Sequence, residues 1–213
     1  MSTAKRPLVV SLNSIPAAGN PSAKPATEGP IYLETNGYVL RSLIPSDASE
    51  QMLEWFKEPE MLRGLNLGGL GFDITKLQNM IAAFDNRNHF FIGIFRAGEN
   101  RPIGFYTINI NPTHKTGNLT TGVGEAGISG RDVMWATSDA LIDHFFDAGT
   151  VEKFTASVLA TNYRMMFVMW GSPRFALEAR HRHECRMPSG ERVDLLIFAA
   201  FKTPPPDWQV RKD

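Results

Sequence analysis

Residues 126–131 form a short segment that carries the residue types that bind phosphate groups. Gly130 lets the backbone approach a ligand closely, Ser129 offers a hydroxyl and Arg131 offers a positive charge. The segment leads into a predicted helix, whose free N–H groups and positive dipole end attract anions. An ordinary glycine-rich turn between a strand and a helix has the same local pattern, because short glycine motifs recur by chance.

A second group of candidate ligands lies near the C-terminus, where His181, His183 and Cys185 alternate along one predicted strand. Alternate residues of a strand share a face, and imidazole and thiolate bind zinc. Neighbouring side chains on one face splay apart, however, and no fourth ligand is evident, so we predict no metal site. The arginines at positions 180, 182 and 186 could meet an acidic acceptor, but we favour a solvated sheet edge.

The composition excludes several classes of protein. The 213 residues include 22 basic and 22 acidic side chains, a balance that argues against binding to nucleic acid or to an anionic membrane. Cys185 is the only cysteine, which excludes an intrachain disulfide and fits the reducing cytoplasm. The apolar runs are far shorter than the ~20 residues of a spanning helix, and no signal peptide is evident. We therefore expect one cytoplasmic domain.

The N-terminal residues 1–30 are rich in Pro, Ala, Ser and Gly. Such a segment buries too little apolar surface to offset its loss of conformational entropy, so we predict a flexible arm. Its apolar cluster, Leu8, Val9 and Val10, leaves the alternative that the arm docks on the partner subunit of a homodimer.

Ordered structure is predicted to begin near Tyr32, as a strand pair or one bent strand around a turn at Asn36 and Gly37. A helix then starts with Ser46 as its candidate N-cap and ends at Pro59. The glycine-rich residues 63–72 indicate a mobile loop. A second helix, over residues 73–84, has apolar side chains at helical spacing.

In the rest of the chain, strands and helices alternate less regularly. Three strands, a helix, a strand, a short helix and a hairpin of two strands are predicted at residues 89–96, 102–111, 117–124, 130–147, 153–159, 162–170, 175–186 and 192–201. This order is neither a steady strand–helix alternation nor a set of segregated blocks. It predicts an α/β (mixed α+β) fold in which a mixed sheet carries helices on both faces.

Five blocks of sequence, taken in order, resemble one family. They are residues 33–35 with 38–43 and 46–48, residues 92–95 with the Ile103-Gly104 pair, residues 119–133, Asn162, and residues 190–194 with Trp208. Each block alone is a weak signal, but their order and spacing over residues 31–208 are similar to those of the GNAT superfamily. Within it, the resemblance is to the branch of ribosomal-protein N-terminal acetyltransferases.

The resemblance implies a GNAT-type fold over residues 31–208, followed by a tail of residues 209–213. Its centre would be a mixed, mostly antiparallel seven-stranded sheet with helices on both faces. It also implies an N-acetyltransferase with acetyl-CoA as cosubstrate, whose pantetheine pairs with the end of the strand 117–124 and whose pyrophosphate lies on the loop after it. The positions implied for acetyl-CoA are Thr121, Gly122, Val123, Gly127, Ile128, Ser129, Gly130, Arg131, Asp132, Val133 and Asn162.

In the mechanism that the resemblance implies, a primary amine attacks the thioester directly and an N–H near Val123 polarises the carbonyl. Glu125 is the candidate base, or else a solvated loop carboxylate. Asn162 would bind the pantetheine or a water, and could also cap a helix. Tyr163 is the nearby hydroxyl, or else an exposed helix aromatic. The acceptor, a protein N-terminus or a small-molecule amine, would lie between the helix of Trp55, the glycine-rich loop and the final hairpin.

Five positions depart from the family pattern, namely Ser129, Asp132 and Met134 in the loop signature and Met165 and Met169 after Asn162. Asp132 stands where the family has glycine, and it brings a negative charge near the expected pyrophosphate. Met165 and Met169 stand where the family often has a hydroxyl that protonates the leaving thiolate. These departures leave the alternative of a GNAT-fold ligand-binding or interaction module that has lost catalysis.

Overall fold

The computed structural model describes residues 29–65, 71 and 73–208. Within them the strands are β1 (Tyr32–Thr35), β2 (Tyr38–Ser42), β3 (His89–Arg96), β4 (Pro102–Asn111), β5 (Thr116–Val123), β6 (Lys153–Leu159), β7 (Ala176–Arg186) and β8 (Arg192–Phe201). The α-helices are α1 (Glu50–Trp55), α2 (Pro59–Gly64), α3 (Ile74–Ala82), α4 (Gly130–Asp147) and α5 (Tyr163–Trp170). A 3-10 turn at Pro45–Asp47 precedes α1.

The strands form one sheet in the order β1-β2-β3-β4-β5-β6-β8-β7. Every neighbouring pair is antiparallel except β5 and β6, which are parallel. The mixed, mostly antiparallel sheet is therefore confirmed, but the count of seven strands is wrong. The first segment is a true hairpin rather than one bent strand, because Asn36 and Gly37 both have positive φ (45° and 82°), as tight hairpin turns require.

The parallel pair β5–β6 is short. Its strands are in register only at Thr116 with Lys153, Gly117 with Phe154 and Asn118 with Thr155. Beyond these pairs, β5 continues along β4 and β6 continues along β8. The facing edges of residues 119–123 and 156–159 are therefore not paired with each other, and a cleft opens between the two strands.

Alternating strand residues separate two apolar clusters, one on each face of the sheet. On β3, Phe90 and Ile92 belong to the larger cluster, which includes the buried residues of α4 and α5. Phe91 and Phe95 belong to the smaller cluster, which includes those of α1 and α3. We name these sides the α4 face and the α1 face. Helices on both faces are thus confirmed.

Helix α4 has the predicted bounds. Val133, Leu141 and Phe145 are buried, whereas Ala136, Ala140 and His144 are only half-buried. Thr137 is fully buried although it is polar. This is tolerated because its hydroxyl donates to the carbonyl of Val133 at 2.7 Å and lies 2.7 Å from the hydroxyl of Tyr106.

The first predicted helix is corrected. Ser49, not Ser46, is the N-cap of α1, and its hydroxyl accepts the Met52 N–H at 3.3 Å. The chain does not end a helix at Pro59 but starts α2 there, since the first helical position needs no N–H donor.

The loop predicted over residues 63–72 is only partly described. Its first two residues, Arg63 and Gly64, belong to α2, whereas residues 66–70 and 72 lie outside the described residues. The same holds for residues 1–28 of the predicted arm and for the tail 209–213. The helix predicted at residues 73–84 is confirmed as α3, with Asp73 as its N-cap. None of the described helices is long and apolar enough to cross a membrane.

Candidate active site

A groove of about 740 Å³ lies on the α4 face, beside the cleft between β5 and β6. It is lined by Thr121, Gly122, Val123, Ile128, Ser129, Gly130, Arg131, Met134, Asn162, Tyr163, Arg164, Met165, Phe167 and Val168. The β5 strand contributes one wall, and the N-terminal turns of α4 and α5 contribute the others. Two helix N-termini therefore meet at the open edge of one strand.

The N-terminus of α4 is fixed by Ser129. Its hydroxyl accepts the N–H of Asp132 at 3.3 Å, and its carbonyl accepts the N–H of Val133 at 3.1 Å. The N–H groups of Gly130 and Arg131 come earlier in the first turn, so they have no intrahelical partner, and both residues line the groove. This end of the groove is suited to an anion.

Arg131 lies at the edge of the groove between two aromatic rings. Its guanidinium carbon is 5.1 Å from the ring centre of Trp135 and 5.9 Å from that of Phe167. Its Nε is 2.8 Å from Oδ1 of Asp132. Hydrogen bonds to Arg131 and then to Ser129 lower the pKa of the Asp132 carboxyl, so that side chain is charged at neutral pH.

The N-terminus of α5 is fixed by Asn162, as predicted. Its Oδ1 accepts the N–H of Met165 at 3.1 Å. Its amide also meets α2, because a Cβ added to Gly64 would lie 3.0 Å from Nδ2 of Asn162. Tyr163 follows at the groove and is 75% exposed, so its hydroxyl is accessible to ligand and water.

The β5 wall presents backbone rather than side chains. The Thr121 hydroxyl is turned to the carbonyl of Phe105, 2.9 Å away. Gly122 faces the opposite side of the sheet, where a Cβ would lie 2.7 Å from Sδ of Met61, and a Cβ on Gly124 would lie 2.2 Å from Cγ of Trp55. The two glycines therefore allow α1 and α2 to pack directly on the end of β5.

No family model matches the sequence, and no curated protein sequence matches it. Solved structures do match its fold. The acetyltransferase from Salmonella typhimurium that modifies the N-terminal serine of a 50S ribosomal subunit protein has a TM-score of 0.67 and 16% identity, covering 78% of this chain and 95% of that one. RimL in complex with coenzyme A has a TM-score of 0.67 and 17% identity, with coverage of 79% and 98%. MccE, the microcin C7 self-immunity acetyltransferase in complex with acetyl-CoA and AMP, has a TM-score of 0.66 and 15% identity, with coverage of 78% and 93%.

This chain has the GNAT acetyltransferase fold. The match extends over most of the described residues and includes Rim-type enzymes, as the sequence blocks predicted. At this level of identity the likeness shows the fold, and the chemistry has to be argued from the residues of the groove.

Most of the predicted site residues of the GNAT fold come together in the groove. They are Thr121, Gly122, Val123, Ile128, Ser129, Gly130, Arg131, Asn162 and Tyr163. Four others do not line it, and Glu125 among them is described separately below. Gly127 forms the turn before α4 with φ of 79°, Asp132 points away toward solvent and Arg131, and Val133 is fully buried in the core.

Glu125, the candidate base, is not a lining residue of the groove. Its Oε1 lies 3.4 Å from Nη1 of Arg96, the last residue of β3, and 3.2 Å from Nη2 of Arg101, just before β4. Its Oε2 is buried without a hydrogen-bond partner. These two arginines hold the carboxylate away from the groove.

Sequence reasoning missed Met134, Arg164, Met165, Phe167 and Val168 as lining residues. Four of them lie on α5. Asn162 and Tyr163 were placed at the site from the sequence, and residues three or four positions along a helix share a surface, so Met165 and Phe167 follow from that placement by helical geometry.

The His181, His183 and Cys185 group does not form a metal site. His183 has φ of 53°, and the register with β8 is irregular between His181 and Cys185, which breaks the alternation that would place them on one face. Among the described residues no three His, Cys, Asp or Glu side chains are grouped as metal ligands.

Proposed function

We propose that this protein is an N-acetyltransferase that moves the acetyl group of acetyl-CoA to a primary amine. The observation that carries the proposal is the meeting of the unpaired β5 edge with the N-terminus of α4 in one groove. An open strand edge is a partner for the two amides of pantetheine, and a helix N-terminus is a partner for pyrophosphate.

Two details of the protein favour acetyl-CoA as the ligand. A Cβ on Gly130 would lie 3.5 Å from the nearest protein atom, on Val123, so packing inside the protein does not require glycine there. The close approach of a ligand to the backbone would require glycine at residue 130. Phe167 and the guanidinium of Arg131 then offer flat surfaces at the groove mouth for the adenosine end.

The proposed reaction is direct transfer. The amine nitrogen attacks the thioester carbon, the carbon–sulfur bond breaks, and the thiolate of coenzyme A takes up a proton. Asn162 would orient the pantetheine or a water, and Tyr163 would supply the proton to the thiolate. Because Glu125 is held away from the groove, water would accept the proton of the amine.

The acceptor would approach from the α1 face, where α1 and α2 cover the end of β5. We keep a protein N-terminus and a small-molecule amine as the two acceptor classes. The single cysteine and balanced charge support a cytoplasmic enzyme, and a homodimer stays a hypothesis for its assembly.

The test is titration with acetyl-CoA during thermal unfolding, combined with thiol release over a broad panel of amines. A ligand at 100 times its Kd stabilises the fold by about 2.7 kcal/mol, which is a shift of several degrees. Arg131→Ala should reduce this shift, whereas Arg182→Ala, on the exposed edge strand β7, should leave it unchanged. No shift at millimolar acetyl-CoA, together with no thiol release, would refute the proposal.

A second candidate is a GNAT-fold module that binds acetyl-CoA without turnover. It is favoured by the position of Glu125 and by Met165 and Met169, which cannot donate a proton. The same experiment distinguishes the two, because this module would show the thermal shift and release no thiol with any amine.

A further inference from the structure

The α2 helix lies against the end of β5, directly behind the groove. Gly122 lines the groove, and its opposite side meets Met61 of α2, where a Cβ would lie 2.7 Å from Sδ and 3.0 Å from Cε. The Met61 side chain therefore rests on the β5 backbone at a residue of the proposed acetyl-CoA site.

The same helix also reaches the other side of the cleft. A Cβ on Gly64 would lie 3.0 Å from Nδ2 of Asn162, and Oε2 of Glu60 is 2.5 Å from Nη1 of Arg164. Helix α2 thus contacts both β5 and α5, on the two sides of the opening between them. A group that extends from the groove through this opening meets α2.

We propose that Met61 is the residue that limits the size of the acyl group, so that acetyl is accepted and longer acyl chains are rejected. The inference rests on the proposed function, which places the thioester at the end of β5. The acyl methyl would then point toward the opening, where the Met61 thioether takes up the space that further methylene groups would need. A hydrophobic pocket discriminates by about 10–200-fold for one methylene group.

Gly122 explains why Met61, and not a side chain of β5, limits the size of the acyl group. With no side chain at residue 122, the backbone of β5 leaves the space beside it to the thioether. Met61→Ala removes three heavy atoms from that space, which is enough for the two extra carbons of a butyryl group.

The experiment uses the full chain and compares acetyl-, propionyl- and butyryl-CoA by calorimetry and by thiol release with the best amine. In the parent, kcat/KM for thiol release should be about tenfold or more higher with acetyl-CoA than with butyryl-CoA. In Met61→Ala, the ratio of the butyryl-CoA value to the acetyl-CoA value should rise by about tenfold or more. Met61→Leu keeps the volume and should keep the ratio of the parent. Met80→Ala, which truncates a methionine of α3 on the same face, is the matched control and should also keep it.

Three results would overturn the inference. The parent could accept butyryl-CoA as readily as acetyl-CoA, Met61→Ala could leave the ratio unchanged, or Met80→Ala could raise it equally. If the parent binds and turns over acetyl-CoA in any of these cases, the proposed function survives without the inference. If no acyl-CoA binds the parent, both are wrong.

Discussion

The two faces of the sheet are built differently. On the α4 face, an 18-residue helix covers the larger apolar cluster and follows the turn proposed to bind phosphate. On the α1 face, three helices of six, six and nine residues cover a smaller cluster rich in phenylalanine. Helices this short are not stable alone, so their position depends on their contacts with the sheet. The proposed cofactor half of the site thus lies on a long helix, and the proposed acyl and acceptor half on short ones.

The largest expected effect is the loss of stability on truncating the core of the α4 face. Phe145 is fully buried, with ring centres 5.1 Å from Phe90 and 5.8 Å from Phe154. Phe145→Ala should lower the free energy of unfolding by about 4–5 kcal/mol, because the long helix cannot move to fill the cavity. Urea unfolding followed by circular dichroism measures the change.

The matched truncation on the α1 face should lower the free energy of unfolding by a smaller amount. Phe91→Ala removes an equally buried ring, but its neighbour Phe84 is only partly buried at the end of a short helix and can relax into the space. We expect a loss of about 3 kcal/mol. If Phe91→Ala destabilises the protein more than Phe145→Ala, the contrast between the two faces is wrong.

A smaller effect is expected where the chain enters the α1 face. Burial opposes ionisation of Asp47, but the Arg41 hydrogen bonds, the Ile44 N–H and the charge of Arg41 outweigh it and lower the pKa of Asp47. Asp47→Asn should cost about 2 kcal/mol at pH 7. The pKa of Asp47 is lower in the folded protein than in the unfolded chain, where it is about 4. The stabilisation is therefore fully present at pH values above the unfolded pKa, and it is lost as the pH falls through the pKa of the folded protein.

Unfolding experiments at pH 7 and pH 3 check this prediction. The parent and Asp47→Asn should differ clearly at pH 7, and the difference should be smaller at pH 3. An equal difference at both values would mean that shape, not charge, is what Asp47 contributes.

The smallest expected effect concerns the cofactor side. Asp132 is charged, pairs with Arg131 and lies one turn from the proposed pyrophosphate site. Asp132→Asn should strengthen acetyl-CoA binding several-fold, or about 1 kcal/mol, most clearly at low ionic strength, because it removes a like charge and frees Arg131. Asp132→Gly should bind similarly but unfold more easily, since glycine costs up to about 1 kcal/mol in a helix.

Asp139→Asn is the control for this measurement. Asp139 lies on the same helix and pairs with Arg174, away from the groove, so its loss should leave acetyl-CoA affinity unchanged. Weaker binding by both Asp132 variants would instead make Asp132 a productive part of the site.

Several elements whose ends are marked by turn or loop residues were predictable from the sequence. The bounds of β3, β4, β6, β8 and α4 are those predicted, and Asn162 caps α5 as expected. Predictions failed where several local signals compete within a few residues. Between residues 45 and 64 two serines could each cap a helix, and Pro59 could end one helix or begin another, so tertiary contacts decide.

The parts of the proposed site that are made of backbone were predictable. The family resemblance implied the β5 edge and the N-terminus of α4, and it implied most of the residues that form them. Side-chain roles were less accessible. Glu125 comes just after β5 in sequence, but its partners Arg96 and Arg101 lie on either side of the β3–β4 turn, and only the folded chain brings them together.

The narrow pairing between β5 and β6 has a consequence for how the sheet opens. The sheet consists of two antiparallel blocks, residues 32–123 and 153–201, and each block is continuous in sequence. Among the described residues only three residue pairs join the blocks, whereas every neighbouring pair of strands inside a block shares at least four. Local opening begins where the fewest backbone contacts have to break, so the blocks should separate along this junction before either block opens. The cleft that would receive the ligand is then the first seam of the sheet to open.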